Sequence, residues 1–186
     1  MENFSENNNK KGSIIWLQEG LKLLKEKGFK NLNIDELSSR TGKAKTSFYH
    51  FFTSKSAFLI ELALYWEYHY SITYLAEANR ISDPMERFDL IIDKASATMK
   101  EEIVWIYFKE LSKTNIDICQ VVERVEKARI KFITIFFTEM NFPLDVAAQK
   151  AKLFLYLFFG WSILNNTKEG VEDFKKLALN HLLLDK

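Results

Sequence analysis

Apolar residues recur at helical spacing along almost the whole of this 186-residue chain, and little interrupts them. Two prolines and six glycines are too few for a many-turned β architecture. Ile14, Leu17, Leu21 and Leu24 lie three or four residues apart, with Ser13 ahead as an N-cap and Gly28 behind as a left-handed stop. Asn33 and Glu36 form a capping-box-like pair that opens a short second helix, ended by Gly42. A third helix spans about 45–51, and Thr53 or Ser54 opens a long one reaching about Ala78. Asp83-Pro84-Met85-Glu86 combines an N-cap, a first-turn proline and a glutamate at the third position, which starts a helix running to about Lys100. Segments of about 102–113, 116–140, 144–165 and 171–184 follow. None alternates with the period of a strand. The spacing predicts an all-α fold of about nine helices.

Charge separates the chain into two parts. Residues 1–60 carry 10 basic and 6 acidic side chains, and the remainder carries 16 and 19. A small basic head therefore precedes a larger, mildly acidic body. One cysteine, Cys119, leaves no intrachain disulfide and no cysteine-based zinc site. The longest apolar run, Leu153 to Trp161, is nine residues, against about 20 for a membrane span. The polar start lacks the apolar core of a signal peptide, so a cytoplasmic protein that uses no membrane is expected. Its three histidines lie far apart, and no metal-binding, glycine-rich phosphate or nucleophile-elbow motif accompanies them. We therefore expect no enzyme activity, cofactor or metal.

The most informative segment is Ile34 to Leu59. A short helix, a glycine turn and a second short helix make a helix-turn-helix. Leu37 and Ile34 face inward, and Phe48 and Phe52 anchor the second helix. Its outer positions, Lys45, Thr46, Ser47, Tyr49 and His50, combine a cation, hydroxyls and polar rings, the chemistry of phosphate and base-edge contacts. Short helix pairs also occur in plain bundles, so this geometry alone does not decide the function.

The residues themselves narrow it. Gly28-Phe29, Asn33-Ile34-Asp35-Glu36-Leu37, Gly42, Thr46-Ser47-Phe48-Tyr49, Phe52-Thr53-Ser54-Lys55 and Phe58-Leu59 resemble, without a gap from Gly28 to Lys55, the N-terminal signature of the TetR family of bacterial transcriptional regulators. Four positions depart from the family pattern. Lys43 follows the turn glycine in place of an apolar residue, and Ala44 replaces the usual serine cap. Ser38 stands for a frequent alanine, and Phe51 for a polar residue. The resemblance implies that Tyr49 and Lys55 contact DNA phosphates and that Lys45, Thr46, Ser47 and His50 enter the major groove.

The body holds most of the 27 aromatic side chains. Trp66, Tyr70, Tyr74, Trp105, Phe108, Phe132 and Phe136 are candidates to line a cavity, and the resemblance implies a small-molecule effector there that lowers DNA affinity. The same stripes fit a packed core. Leu153 to Trp161 is apolar on every side, so both of its faces need cover. A second copy is expected to supply one of them through Leu153, Leu157, Gly160, Trp161, Phe174, Ala178 and His181. The expected layout is a flexible 1–12, a helix-turn-helix domain over 13–60, and an effector-binding and dimerisation domain over 61–186. The expected function is a homodimeric repressor released from a palindromic double-stranded DNA operator by an apolar or aromatic ligand. The alternative is a helical protein–protein interaction module with a vestigial helix-turn-helix.

Overall fold

The computed structural model describes residues 10–97, 99–164 and 170–183. The expected flexible start falls mostly on residues 1–9, outside the described ones. The described residues are helical almost throughout: α1 (Lys10–Lys27), a 3-10 turn (Phe29–Asn31), α2 (Ile34–Thr41), α3 (Lys45–Phe51), α4 (Lys55–Glu67), α5 (Thr73–Ala78), α6 (Pro84–Ala97), α7 (Met99–Leu111), α8 (Ile116–Glu139), α9 (Leu144–Leu164) and α10 (Val171–Leu183). A π-helical stretch, Tyr68–Ile72, joins α4 to α5, so 55–78 is one helical run and nine such runs are described. Among the described residues there is no strand.

Two compact units emerge. The first takes the chain up to His69 together with Val104–Val122, and the second takes Tyr70–Ile103 and Glu123–Lys186. The first thus recruits part of α7 and α8 to the head. Two contacts show how. The Trp66 and Phe108 rings, both fully buried, lie 5.2 Å apart. The Tyr107 hydroxyl reaches Gly28 so closely that a Cβ there would sit 2.7 Å from it. Gly28 has φ 75° and ψ 174°. That is extended backbone with positive φ, open essentially to glycine alone, rather than the left-handed stop expected. α1 also begins three residues before Ser13, which therefore lies inside the helix rather than at its N-terminal boundary.

The second unit is stapled by rings. Phe88 stacks on Phe136 with centroids 4.3 Å apart, and the ladder continues through Phe154 to Phe174 and Trp161. Packed core therefore takes up much of the aromatic surplus. Two lysines add polar ties. Lys150 is buried, donates to the Leu182 carbonyl (2.8 Å) and faces the Phe142 ring. Lys175 is also buried and meets Asp93 (2.7 Å), Glu172 (3.3 Å) and Asp89 (3.5 Å), joining α10 to α6. From its polar surroundings in sequence, Lys175 reads as an ordinary surface charge. The structure makes it a cross-helix clamp. Burial alone would lower its pKa, but the Asp93 hydrogen bond and the neighbouring carboxylates raise it above the ordinary lysine value.

Reversing that charge should be costly. Lys175→Glu sets a fourth carboxylate among three and should lower unfolding stability by about 3 kcal/mol. Lys175→Met keeps the stem packing and should cost less. Urea unfolding followed by circular dichroism measures both, and a Lys175→Glu variant as stable as the parent would refute the clamp.

Candidate nucleic-acid interface

α3 is seven residues long, far below the length at which an isolated helix holds in water, so packing must hold it. Phe48 does this. Its side chain is 0% exposed, and Trp16, Phe52 and Phe58 surround it with centroids at 5.4, 5.0 and 5.2 Å. Phe51 lies against Gly12 of α1, where any Cβ would overlap its ring. That contact gives a physical role to a ring in a position where a polar residue is usual. The opposite face of α3 turns outward. Lys45, Thr46, Tyr49 and His50 are exposed, Tyr49 at 54%, and Ser47 is half-buried. Ala44 caps α3 without a side-chain hydrogen bond.

The flanking turns set the angle of that face. The Asn33 side chain accepts from the Glu36 backbone N–H (2.9 Å), fixing the start of α2. Gly42 ends α2 at φ 65°, ψ 20°, where a Cβ would meet nothing within 4 Å. Its demand is for the left-handed backbone rather than for space. Ser54 caps α4 by accepting from the Ala57 backbone N–H (3.0 Å). Lys55 follows at the first turn, exposed, with its ammonium 5.7 Å from the Phe29 ring. The helix dipole adds a partial positive charge at the same end.

Behind this face lies an ion-pair brace. Glu36 receives Lys27 (2.8 Å) and Arg40 (3.1 Å), and Arg40 also reaches Glu26 (2.8 Å), tying α1 to α2. Those hydrogen bonds hold the Glu36 carboxyl below its ordinary value. Lys45 pairs with Asp35 between α3 and α2. All six sequence-predicted contact residues thus fall on α3 or at the α4 start. Asp35 adjoins them through its pairing with Lys45, which the sequence does not reveal, because it does not show which lysine an acid will meet.

Residues 17–62 match the family model for bacterial regulatory proteins of the tetR family. Over these residues the head is similar to that family. Known structures extend the likeness to the whole TetR-type fold. A transcriptional regulator from Rhodococcus sp. Rha1 superposes with a TM-score of 0.79 at 14% identity, over 95% of this chain and 96% of the other. A TetR-family regulator from Agrobacterium tumefaciens gives 0.75 at 16%, over 94% and 97%. The fatty acid degradation regulator FadR from Bacillus halodurans gives 0.65 at 13%, over 90% and 97%. The first two of these structures are named as transcriptional regulators. No curated protein matches the sequence significantly.

The remaining expected residues distribute as follows. Trp66 and Phe108 are buried and Trp105 half-buried, all in the first unit. Tyr70 and Tyr74 are half-buried in the second, 5.9 Å apart, while Phe132 and Phe136 are in its packed core. In the second unit, Leu153, Gly160 and His181 are exposed, and Leu157 and Trp161 half-buried. Phe174 and Ala178, expected on the partner-facing surface, lie in the hydrophobic core of the second unit instead, Phe174 at 2% exposure. Leu177 replaces them outside, and Tyr156, Ile163 and Leu164 join the exposed stripe of α9. A run apolar on every side gives no phase, so sequence could not say which residues face out. Among the described residues, no helix is long and apolar enough to cross a membrane.

The brace predicts an acid response. A carboxyl held below its ordinary value near 4.5 stabilises the fold fully above that value and loses its contribution as pH falls through the depressed one. Glu36→Gln should therefore flatten the loss of head stability between about pH 5 and pH 3. Thermal melts across that range measure it, and equal acid sensitivity in both proteins would refute the brace.

Proposed function

We propose that the chain is a DNA-binding repressor that acts as a homodimer and is released from a near-palindromic operator by a small apolar or aromatic ligand. One observation carries the DNA reading. α3 buries Phe48 completely while presenting Lys45, Thr46, Tyr49 and His50, with Lys55 at the adjoining helix start. A rigid short helix with donors on one face is suited to the major groove, and cations at its margins to phosphates. On this reading Tyr49 and Lys55 hold the backbone, and Lys45, Thr46, Ser47 and His50 read the groove.

The exposed face of α9 and α10 supports the dimer. Leu153, Tyr156, Gly160 and Ile163 recur three or four residues apart on α9, with Leu164 beside Ile163, and Leu177 and His181 lie four apart on α10. Gly160 leaves open space above its backbone, which permits close approach of another helix. A second copy of the same helix pair offers a self-complementary apolar cover. The effector rests on the family resemblance and on aromatic pairs such as Tyr70 and Tyr74 that remain partly exposed. Such a ligand must favour the DNA-free form, because equal affinity for both forms shifts nothing. DNA-directed repression places the protein in the cytoplasm.

Titration of labelled DNA tests the first part. Lys55→Ala should weaken binding to all sequences and reduce the salt slope by about 1, whereas Tyr49→Phe should weaken binding with the slope nearly unchanged. Unchanged affinity in both variants would refute these contacts. For the dimer, Tyr156, at 71% exposure, is the sharpest position because its replacement disturbs no core. Tyr156→Arg should give a folded monomer in sedimentation, and a dimer of wild-type strength would move the interface elsewhere.

A further inference from the structure

The lysines of the head are not equivalent. Lys55 packs its ammonium over the Phe29 ring, which leaves its charge uncompensated. Lys43 is half-buried in the helix-turn-helix turn and has no carboxylate partner among the described residues. Lys45, at the start of α3, is already paired with Asp35 from the first turn of α2. Both members of that pair are largely exposed, so it adds little to stability. Its consequence falls on what the lysine meets next.

An uncompensated lysine gains from a phosphate by releasing a condensed counterion. Lys45 gains much less, because its charge is already balanced and the approach brings the Asp35 carboxylate toward a polyanion. A base edge imposes no such penalty. Guanine O6 and N7 are neutral acceptors, and an ammonium has three donors, enough to keep Asp35 and still donate to a base. The pairing also removes rotamer freedom that a free lysine would lose on docking.

We propose that Asp35 is a specificity-determining residue: by pairing with Lys45 across the helix-turn-helix it withholds that cation from the phosphates and directs its donors to a guanine edge in the major groove. Lys43 and Lys55 then carry the sequence-independent attraction. The inference rests on the DNA-binding reading above. It adds an acidic residue to a surface whose other candidate contacts are neutral or basic.

The test uses the full chain with two duplexes, one selected from a random library by the protein itself and one of scrambled sequence, at two salt concentrations. Asp35→Asn should tighten binding to the scrambled duplex and steepen its salt slope by about 1, which is about 3- to 4-fold across a fourfold change in salt. Affinity for the selected duplex should rise less, so the specificity ratio falls. Combined with Lys45→Ala, the same change should leave the slope where Lys45→Ala puts it. Asp35→Ser, which keeps a polar residue in the first turn, guards against a folding artefact and should behave as Asp35→Asn does. An unchanged slope and ratio in both Asp35 variants, with the parent binding normally, overturns this inference and leaves the DNA reading standing. A slope change that persists in full without Lys45 also overturns it, since Asp35 would then act as a plain repulsive charge. A parent protein with no salt-dependent DNA affinity overturns both.

Discussion

The head depends on the burial of one ring. Phe48 sits at the junction of α1, α3 and α4, touching Trp16, Phe52 and Phe58. A seven-residue helix with no side-chain cap has almost no stability of its own. Aromatic burial of this size contributes several kcal/mol and fixes both position and rotation, because edge-on and tilted ring contacts have preferred geometry. Once Phe48 is inside, the 100° step of the helix sends Tyr49 and Thr46 outward. The chemistry of the exposed face thus follows from the packing of the hidden one.

Much of this was legible in the chain. Asn33, Ser54 and Asp83 each accept the backbone N–H three residues on, as their positions before helical runs imply. Gly42 takes the left-handed backbone that the turn requires. Leu37, Phe48 and Phe52 are buried as their spacing predicts. These features are local, set by one residue and its near neighbours.

What was not legible depends on partners distant in sequence. Gly28 does end α1, as it reads, but its backbone is extended rather than left-handed, and Tyr107, almost 80 residues away, fills the space beside it. Lys175 reads as surface and is a clamp, because its carboxylates come from α6 as well as from its own helix. Phe174 and Ala178 share a stripe with Leu177 and His181 in any helical projection, and only packing on Phe154 and Trp161 decides which side is inner. The Asp35–Lys45 pair is of the same kind. Ten residues separate its members, and the glycine turn brings them together.

On the proposed function, two such heads read one duplex. Hydroxyl-radical footprinting on DNA retrieved by the protein from a random library tests it most directly. Two protected patches should lie on one face of the DNA helix, centred one turn of about 34 Å apart or a multiple of it, each around a half-site of the same sequence. A single patch, protection without a repeated half-site, or no retrieved sequence at all would contradict it.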